Sequence, residues 1–283
     1  MATFTNRANL SFNGGSVDSN TVTGEILEVL SGEKTAVVDT YATGERITYL
    51  ITLRNTGATA LTGLTITDDL GGYTVGAGTV YPLAYVPGTV LYYVNGTLQP
   101  APAVTAGPPL TIPGISIPAG GNALIVYEAQ TTDAAPPQQG GSIVNIAQVT
   151  GGGLSAPVVL TETVTTLQQP DLSISKALCP TTVTENGQLS YTFVIENIGN
   201  SPAVATDNLS VTDTFNPILT GITVTLNGTV LTLGTDYTYD ETTGAFATVP
   251  GVITVPAATF TQNPDGTFTT TPGASSLVVT GTV

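Results

Sequence analysis

Histidine and tryptophan are absent from the sequence, and cysteine occurs once, as Cys179. Without histidine no His-based triad or histidine metal site can form, and one cysteine cannot close a disulfide within its own chain. We therefore expect no cofactor and no ordinary enzyme. Because free cysteines are among the most frequently buried residues, Cys179 is predicted to be a small buried hydrophobic residue. A disulfide between two chains is the alternative.

Basic residues are also scarce, since 5 Lys and Arg stand against 20 Asp and Glu and give a net charge of −15. So few cations cannot neutralise phosphates, which excludes nucleic acid as a partner. No apolar run approaches the length of a membrane-spanning helix, and the N-terminus lacks the basic and apolar regions of a signal peptide. We expect no membrane partner, and an export route that either removes a signal or uses none.

Short β-branched runs make up most of what is present, separated by glycine, proline and asparagine. No window has the periodicity of an amphipathic helix. A length of 283 residues is enough for two domains. The sequence therefore predicts an all-β protein with two tandem Ig-like β-sandwich domains.

The two halves of the chain repeat one pattern. Ile47–Gly57 resembles Leu189–Gly199, and Leu64–Asp68 resembles Leu209–Asp213. Three further pairs follow in the same order: Val94–Thr97 with Leu226–Thr229, Ile112–Pro118 with Val249–Pro256, and Leu124–Tyr127 with Leu277–Thr280. The Asn-Gly of the first of these pairs predicts a hairpin in each half. An additional hairpin or long loop is predicted near Gln262–Gly266.

The first half ends with two strand candidates, 143–150 and 157–166, that have no counterpart before Val283. Candidates of matching pattern stand at the N-terminus, at 4–12 and at roughly 20–30. The first of them carries an alternating face like that of 143–150; the two sets are Phe4, Asn6, Ala8, Leu10 and Phe12, and Ile143, Asn145, Ala147 and Val149. Both strands run into glycines. The N-terminal strands therefore match the pair that the second half lacks.

This correspondence predicts three parts: a donor hairpin at 1–30, a first sandwich at 31–166, and a second sandwich at 167–283 that lacks its last strands. The N-terminal strands of another subunit would complete the second sandwich, and one repeated step between subunits gives an open head-to-tail polymer. Burying the donor's apolar face would contribute on the order of 5–8 kcal/mol. Asn6 precedes Lys34 by nearly the spacing at which Asn145 precedes Lys176, so the same step is expected within and between chains.

The only two lysines occupy the same position in the two repeats, and both lie on apolar strand faces. Lys34 shares its strand face with Leu30, Ala36 and Val38. Lys176 shares its face with Leu172, Ile174 and Leu178. A buried ammonium needs a partner or loses its proton. Two aspartates meet the same test: Asp68 alternates with Leu64, Ile66 and Leu70, and Asp213 with Leu209, Val211 and Phe215.

Each complete sandwich would thus hold one lysine, one aspartate and one asparagine inward. This set can form an isopeptide bond, because a desolvated neutral amine can attack an asparagine amide that a protonated aspartate polarises. Lys34, Asp68 and Asn145 would react within one chain, and Lys176 and Asp213 with Asn6 of the next subunit. The alternative is a buried hydrogen-bonded Lys–Asp pair whose asparagine fills the remaining valences.

The motifs Asp171–Lys176, Tyr191–Gly199, Val211–Asp213 and Val144–Val149 resemble the tandem "conserved repeat" domain of bacterial surface proteins, domain of unknown function number eleven. The resemblance covers both halves and implies Ig-like sandwiches in extracellular stalks and surface layers. The Lys/Asp/Asn sets also resemble those of isopeptide-containing stalk domains in Gram-positive adhesins and pili. That likeness implies two reacting sets, Lys34–Asp68–Asn145 and Lys176–Asp213–Asn6. Unlike typical members, the chain is short and shows no sorting signal.

We therefore expect a structural subunit of an extracellular filament, on a bacterial cell or spore surface, whose only chemistry is single-turnover cross-linking. An adhesin or glycan-binding module is the alternative, for which Tyr81, Tyr85, Tyr92 and Tyr93 could form a sugar platform; packing in the core and at sheet edges is the simpler role for these tyrosines. Calcium is a further candidate partner, with oxygen ligands at Asp68-Asp69 and Asn263–Asp265, although neither spacing matches a defined loop.

Overall fold

The computed structural model describes residues 2–283, whose regular secondary structure is almost all β-strand. Within that range there is no α-helix, only one 3-10 turn at Ala205–Asp207, and so no helix that could span a membrane. The predicted fold class is confirmed: the protein is all-β, with Ig-like two-sheet packing in tandem. Contacts divide the chain into two units. One contains the chain up to Pro136, Ser142–Thr165 and Pro264–Gly266; the other contains Pro137–Gly141, Thr166–Asn263 and Thr267–Val283.

The N-terminal segment forms a hairpin of four short strands: β1 (Ala2–Asn6), β2 (Asn9–Phe12), β3 (Gly15–Asp18) and β4 (Val22–Ile26). β1 pairs with β4 and β2 pairs with β3, both antiparallel. The predicted continuous strand 4–12 is thus interrupted at Arg7 and Ala8. Phe4, Leu10 and Phe12 are each more than half exposed. A two-stranded hairpin with its apolar side chains in water is only marginally stable by itself.

The first sandwich consists of β5 (Leu30–Ala36), β6 (Thr40–Tyr41), β7 (Arg46–Asn55), β8 (Leu61–Asp68), β9 (Tyr73–Val75), β10 (Gly78–Val80), β11 (Leu83–Tyr85), β12 (Leu91–Val94), β13 (Thr97–Gln99), β14 (Leu110–Ile117), β15 (Asn122–Thr131), β16 (Ser142–Gly151) and β17 (Val158–Thr166). One sheet has the order β13-β12-β15-β7-β5, with β11 also paired to β15. The other has the order β14-β8-β16-β17-β6. Alternate residues of β7, β8 and β15 are buried between the sheets, as period-2 patterning requires.

The predicted strands at 143–150 and 157–166 are present as β16 and β17. β16 pairs with β8 on one side and with β17 on the other. Ile143, Asn145, Ala147 and Val149 all point inward and are at most 1% exposed. These two strands therefore close the first sandwich over its core.

The second sandwich consists of β18 (Leu172–Cys179), β19 (Gln188–Asn197), β20 (Thr212–Thr214), β21 (Thr220–Leu226), β22 (Thr229–Val230), β23 (Tyr237–Tyr239), β24 (Ala245–Thr248), β25 (Thr259–Gln262), β26 (Phe268–Thr271) and β27 (Gly273–Thr282). One sheet has the order β18-β19-β27-β21-β22, and the other has only three strands, β20-β24-β23. β25 and β26 form a separate hairpin, which confirms the additional hairpin predicted near Gln262–Gly266.

The two sandwiches share their strand registers. Val94 pairs with Thr97 and Leu226 with Thr229, so both Asn-Gly hairpins are confirmed. The last pair of matched segments needs a correction of one residue. Tyr49 on β7 faces Tyr127, and its counterpart Tyr191 on β19 faces Val279, so Val279 corresponds to Tyr127. A shift of one residue changes the sheet face, and apolar composition alone does not reveal it.

Two sequence-based burial predictions are wrong. Cys179 is a free, exposed cysteine at the end of β18. Its odd-numbered register places it on the opposite face from Lys176, as is also true of its counterpart Val37, which is 65% exposed. Val38 is 42% exposed because β5 ends at Ala36, so the alternation with Lys34 does not continue.

Candidate cross-link sites

Lys34 and Asp68 form an ion pair across the first sandwich, one residue from each sheet. Nζ of Lys34 donates to Oδ2 of Asp68 at 2.6 Å, and both side chains are fully buried. The neighbours of Asp68 on β8 pack into the core as predicted. Oδ1 of Asp68 also accepts the backbone N–H of Leu70 at 2.9 Å. The aspartate is therefore held in place from two sides.

Asn145 joins this pair through a tyrosine. The hydroxyl of Tyr127 donates to Oδ2 of Asp68 at 2.5 Å and accepts from Nδ2 of Asn145 at 3.3 Å. Oδ1 of Asn145 and the hydroxyl of Tyr49 are buried, and neither has a hydrogen-bond partner in the part of the chain that the structure describes. An unsatisfied buried polar atom is costly, and such atoms recur where a group is held for chemistry.

Burial lowers the pKa of Lys34 from the ordinary 10.5, although the negative charge and hydrogen bond of Asp68 act in the opposite direction. The direction follows from the complete desolvation of the ammonium, which outweighs the attraction of its one close partner. Burial also raises the pKa of the Tyr127 hydroxyl, and the charge of Asp68 raises it further, so Tyr127 stays protonated and keeps donating. Burial thus favours the neutral amine of Lys34 and the protonated hydroxyl of Tyr127.

The second sandwich contains the corresponding ion pair in a different environment. Lys176 donates to Oδ2 of Asp213, but the lysine side chain is 40% exposed and the aspartate side chain 19% exposed. Three aromatic rings lie near the ammonium, with centroids 4.3 Å (Tyr191), 5.3 Å (Phe193) and 5.5 Å (Phe215) from Nζ. Such rings stabilise a cation that is partly withdrawn from water.

The difference between the two pairs comes from the strand beside the aspartate. β8 pairs with β16, and Asp68 faces Ala147 in that ladder. β20, which carries Asp213, pairs only with β24 among residues 2–283, so its other edge is free. Every residue of β18 is exposed, whereas Leu30 and Lys34 on β5 are buried. The second sandwich therefore has a matching lysine and aspartate but, within residues 2–283, no strands equivalent to β16 and β17 to bury them.

The structure places Asn6, the remaining predicted acceptor, on β1 opposite Val22. No asparagine in the described part of the chain is hydrogen bonded to Lys176 or Asp213. Phe4 and Asn6 share one face of β1, and Leu10 and Phe12 share one face of β2, while Ala8 lies in the break between them. The alternating residues of 4–12 are therefore exposed, in two parts; their role as a donor face stays a prediction.

A groove of about 180 Å³ lies on the uncovered part of the second sandwich. Its apolar lining comes from β18, β19 and the segments around β20 and after β24: Leu172, Ile174, Ile195, Leu209, Val211 and Ile253. Leu172 and Ile174 are 39% and 57% exposed. Exposed apolar patches of this kind usually mark an interaction surface.

Tyr127 and Tyr49 were not predicted as site residues, although both bear on the Lys34 cluster. Their rings stack at 5.5 Å, and the Tyr49 ring lies 5.0 Å from Nζ of Lys34. Both alternate with buried residues on β7 and β15, which is the one sequence signal for them. Tyrosine on a strand face is common, so that signal does not by itself separate a site from core packing.

Four of the other candidate residues, Tyr81, Tyr85, Tyr92 and Asp69, make structural contacts. Tyr92 is a core residue whose hydroxyl bonds to the backbone of Ser116, and Tyr81 and Tyr85 pack against the same core. Oδ1 of Asp69 accepts the backbone N–H of Gly71 and of Ile146. No cluster of three acidic or thiol side chains suited to a metal occurs among the described residues.

No family model matches the chain, and no match was found among curated proteins. Solved structures with similar strand arrangements include the pilus backbone of Streptococcus pneumoniae (15% identity, TM-score 0.34), covering 86% of this chain and 55% of that one. The major pilin subunit of Bacillus cereus is similar over 96% of this chain and 73% of its own (12%, 0.34). The collagen-binding domain of a Staphylococcus aureus adhesin is similar over 50% and 99% (16%, 0.31). These values are too low to infer a shared function.

Proposed function

We propose that the protein is the structural subunit of an extracellular filament on a bacterial cell or spore surface, which polymerises head to tail by donating its N-terminal hairpin. The observation that carries this proposal is the contrast between the two lysines. The same Lys–Asp pair is sealed by β16 and β17 in the first sandwich and open in the second. The hairpin at the N-terminus has the residue pattern of the two strands that seal the first pair.

Strand addition explains how the hairpin would bind. A donated strand would hydrogen bond to the free edge of β20 as β16 does to β8, and its apolar residues would cover the exposed face of β18. Phe4, Leu10 and Phe12 are 53%, 65% and 58% exposed in the single chain. Their burial contributes on the order of 5 kcal/mol, beside the backbone hydrogen bonds. Strand addition would therefore cover the apolar face of the hairpin and the exposed face of β18, each of which favours aggregation when it is left in water.

The buried cluster of the first sandwich supports a covalent bond between Lys34 and Asn145. A proton passes from Nζ of Lys34 to Asp68, which leaves a neutral amine and a neutral carboxylic acid. Nζ then attacks Cγ of Asn145; the new N–C bond forms as the bond to the amide nitrogen breaks. Asp68 relays the amine proton to the departing nitrogen, which leaves as ammonia. One amide replaces another, so no cofactor is required.

The joint between subunits would use the second set in the same roles. Lys176 is the amine, Asp213 the acid and base, and Asn6 of the incoming hairpin the acceptor. Insertion of the hairpin would desolvate Lys176 as β16 and β17 desolvate Lys34, so reactivity would begin only when the joint closes. A partly exposed lysine paired with Asp213 and faced by aromatic rings is stable in the meantime.

Two alternatives have less support: an ion pair that never reacts, and a glycan-binding function. A purely structural Lys–Asp pair would leave no reason for the unpaired Oδ1 of Asn145. A glycan-binding module would need an exposed aromatic platform, whereas Tyr92 is buried and uses its hydroxyl on Ser116.

Boiling the assembled protein in SDS tests the proposal. We expect a ladder at multiples of 28.7 kDa and a mass loss of about 17 Da for each bond, because each releases one ammonia. Removing the first twelve residues should abolish assembly and leave the first sandwich folded. Asn6→Ala should give filaments that dissolve in SDS. A wild-type chain that elutes as a monomer with its unreduced mass contradicts both the polymer and the bonds.

A further inference from the structure

The register shared by the two sandwiches allows a residue-by-residue comparison of the sealed site with the open one. Gly63 and Asn208, each just before the leucine that begins the aspartate-bearing segment, both have left-handed backbone, with φ of 70° and 55°. Lys34 pairs with Ile51 as Lys176 pairs with Phe193. Positions that surround the two Lys–Asp pairs can therefore be matched directly.

The first sandwich has no room for a side chain at Gly151. This residue has φ of 84° and faces Leu64 in the β16–β8 ladder. A Cβ atom there would lie 2.7 Å from the carbonyl oxygen of Gly63, closer than such atoms approach. In the donor hairpin, Phe12 follows Asn6 at the same distance as Gly151 follows Asn145. Because Asn208 has the same backbone conformation as Gly63, a donated strand must adopt a backbone conformation at Phe12 that differs from that of Gly151.

The two sandwiches also differ in side-chain size at a second position, on the strand that carries the lysine. A Cβ on Gly32 of β5 would lie 2.6 Å from Cδ2 of Leu53, 2.8 Å from the carbonyl oxygen of Thr52 and 3.3 Å from Cδ1 of Leu160, so Leu160 is one of three neighbours packed close to this glycine. The matching residue on β18 is Ile174, which pairs with Ile195 as Gly32 pairs with Leu53.

The donor is small where Leu160 is large. Leu160 stands opposite Ala147 on β16. In the hairpin, Ser19 stands opposite Ala8, to whose carbonyl it donates its backbone N–H at 2.8 Å. In the first sandwich the large Leu160 of β17 lies over Gly32. In the proposed joint the small Ser19 of the donor would lie over the large Ile174.

We infer that Phe12 and Ser19 of the hairpin and Ile174 of the second sandwich are the residues that fit the donor of a second copy to the open groove. Phe12 and Leu10 fill the groove between Leu209, Val211 and Ile253, and this register brings Asn6 to Lys176. The inference rests on the proposed function and adds the residues that fit the donor to its groove.

The critical concentration for assembly tests the role of Phe12. We expect Phe12→Ala to raise it about a hundredfold, as loss of a well-buried aromatic side chain does. Leu98→Ala, which removes a 56% exposed leucine from β13, is the matched control and should leave it unchanged. Phe12 is exposed in the free chain, so the melting temperature of the monomer should not move. If wild type assembles and Phe12→Ala assembles equally well, the inference is wrong while the proposed function stands. If wild type does not assemble, both fail.

A size exchange tests Ile174 and Ser19. Ile174→Gly alone should raise the critical concentration by about tenfold or more, because it leaves a void at the joint. Ser19→Leu alone should also weaken assembly, because leucine would clash with Ile174. The double variant copies the Leu160–Gly32 arrangement and should recover most of the loss, which a merely additive effect would not allow. Additive losses in the double variant contradict the proposed complementarity.

Discussion

Lys34 and Asp68 are joined by a 2.6 Å ion pair whose two side chains are both completely buried. Desolvating two charges costs more than their attraction usually returns, so a buried pair is weak evidence for stability in its own right. Here the pair lies beside an asparagine with an unpaired carbonyl oxygen. A pair that exchanges a proton and ends as a neutral amide would avoid the cost of the buried charges, and four predictions follow from this arrangement.

Replacing Lys34 by methionine should remove the bond of the first sandwich and destabilise it by about 3–5 kcal/mol, because Asp68 is left buried without its cation. Intact mass checks the first effect, since one loss of about 17 Da disappears when no ammonia is released. Chemical denaturation checks the second. Adding Asp68→Leu to Lys34→Met should recover part of the stability without restoring the bond. A variant of unchanged mass loss would exclude Lys34 as the amine.

Mixing two variants should stop the covalent polymer at one joint. Asn6→Ala retains Lys176 but no acceptor, and Lys176→Ala retains Asn6 but no amine. Neither alone should give a ladder in SDS. Together they should give a covalent dimer and nothing larger, since only one of the four possible joints contains both residues. A ladder from either variant alone would show that the joint uses other residues.

The stability of an unlinked variant should rise with pH. In Asn145→Ala the amine of Lys34 has no acceptor, and burial holds its pKa below the 10.5 of the unfolded chain. Between the folded and unfolded values the unfolded state binds more protons, so unfolding free energy increases with pH across that window. The raised pKa of Tyr127 acts oppositely above its ordinary 10.0, so thermal melts should be compared below that pH. The control Lys34→Met/Asn145→Ala should show no such rise, and a similar rise there would exclude Lys34 as its source.

Two tyrosines that stack on each other should respond differently to loss of the hydroxyl. Tyr127→Phe removes a donor to Asp68 and the acceptor of Asn145, and should slow bond formation by about a hundredfold, the usual effect of one lost site donor. Tyr49→Phe removes a buried hydroxyl that has no hydrogen bond of full geometry among the described residues, only a weak contact with Asn145, so it should leave stability nearly unchanged. Mass spectrometry over time after synthesis measures the rate. Equal rates in Tyr127→Phe and wild type would limit Tyr127 to packing.

Much of the site could be predicted because strand alternation reports which face a residue occupies. Lys34, Asp68 and Asn145 each stand among apolar residues at alternate positions, and the structure brings them into one cluster. Tyr127 could not be identified this way, since its contacts to Asp68 and Asn145 join three strands from two sheets. The burial of Cys179 was predicted wrongly because single-residue preference ignores which face of an edge strand a residue takes.

The sequence by itself determined the all-β class, the two repeats, the turns between strands and the inward face of the strands that carry Lys34, Asp68 and Asn145, because all of these depend on residues near one another in the chain. The tertiary structure decided what alternation cannot express: how deeply each lysine is covered, which polar atoms are left unpaired, and where a side chain has room. Lys34 and Lys176 are equivalent in sequence, yet one is sealed and the other open. That difference arises from the strand packed beside each aspartate, a contact made between residues distant in the chain.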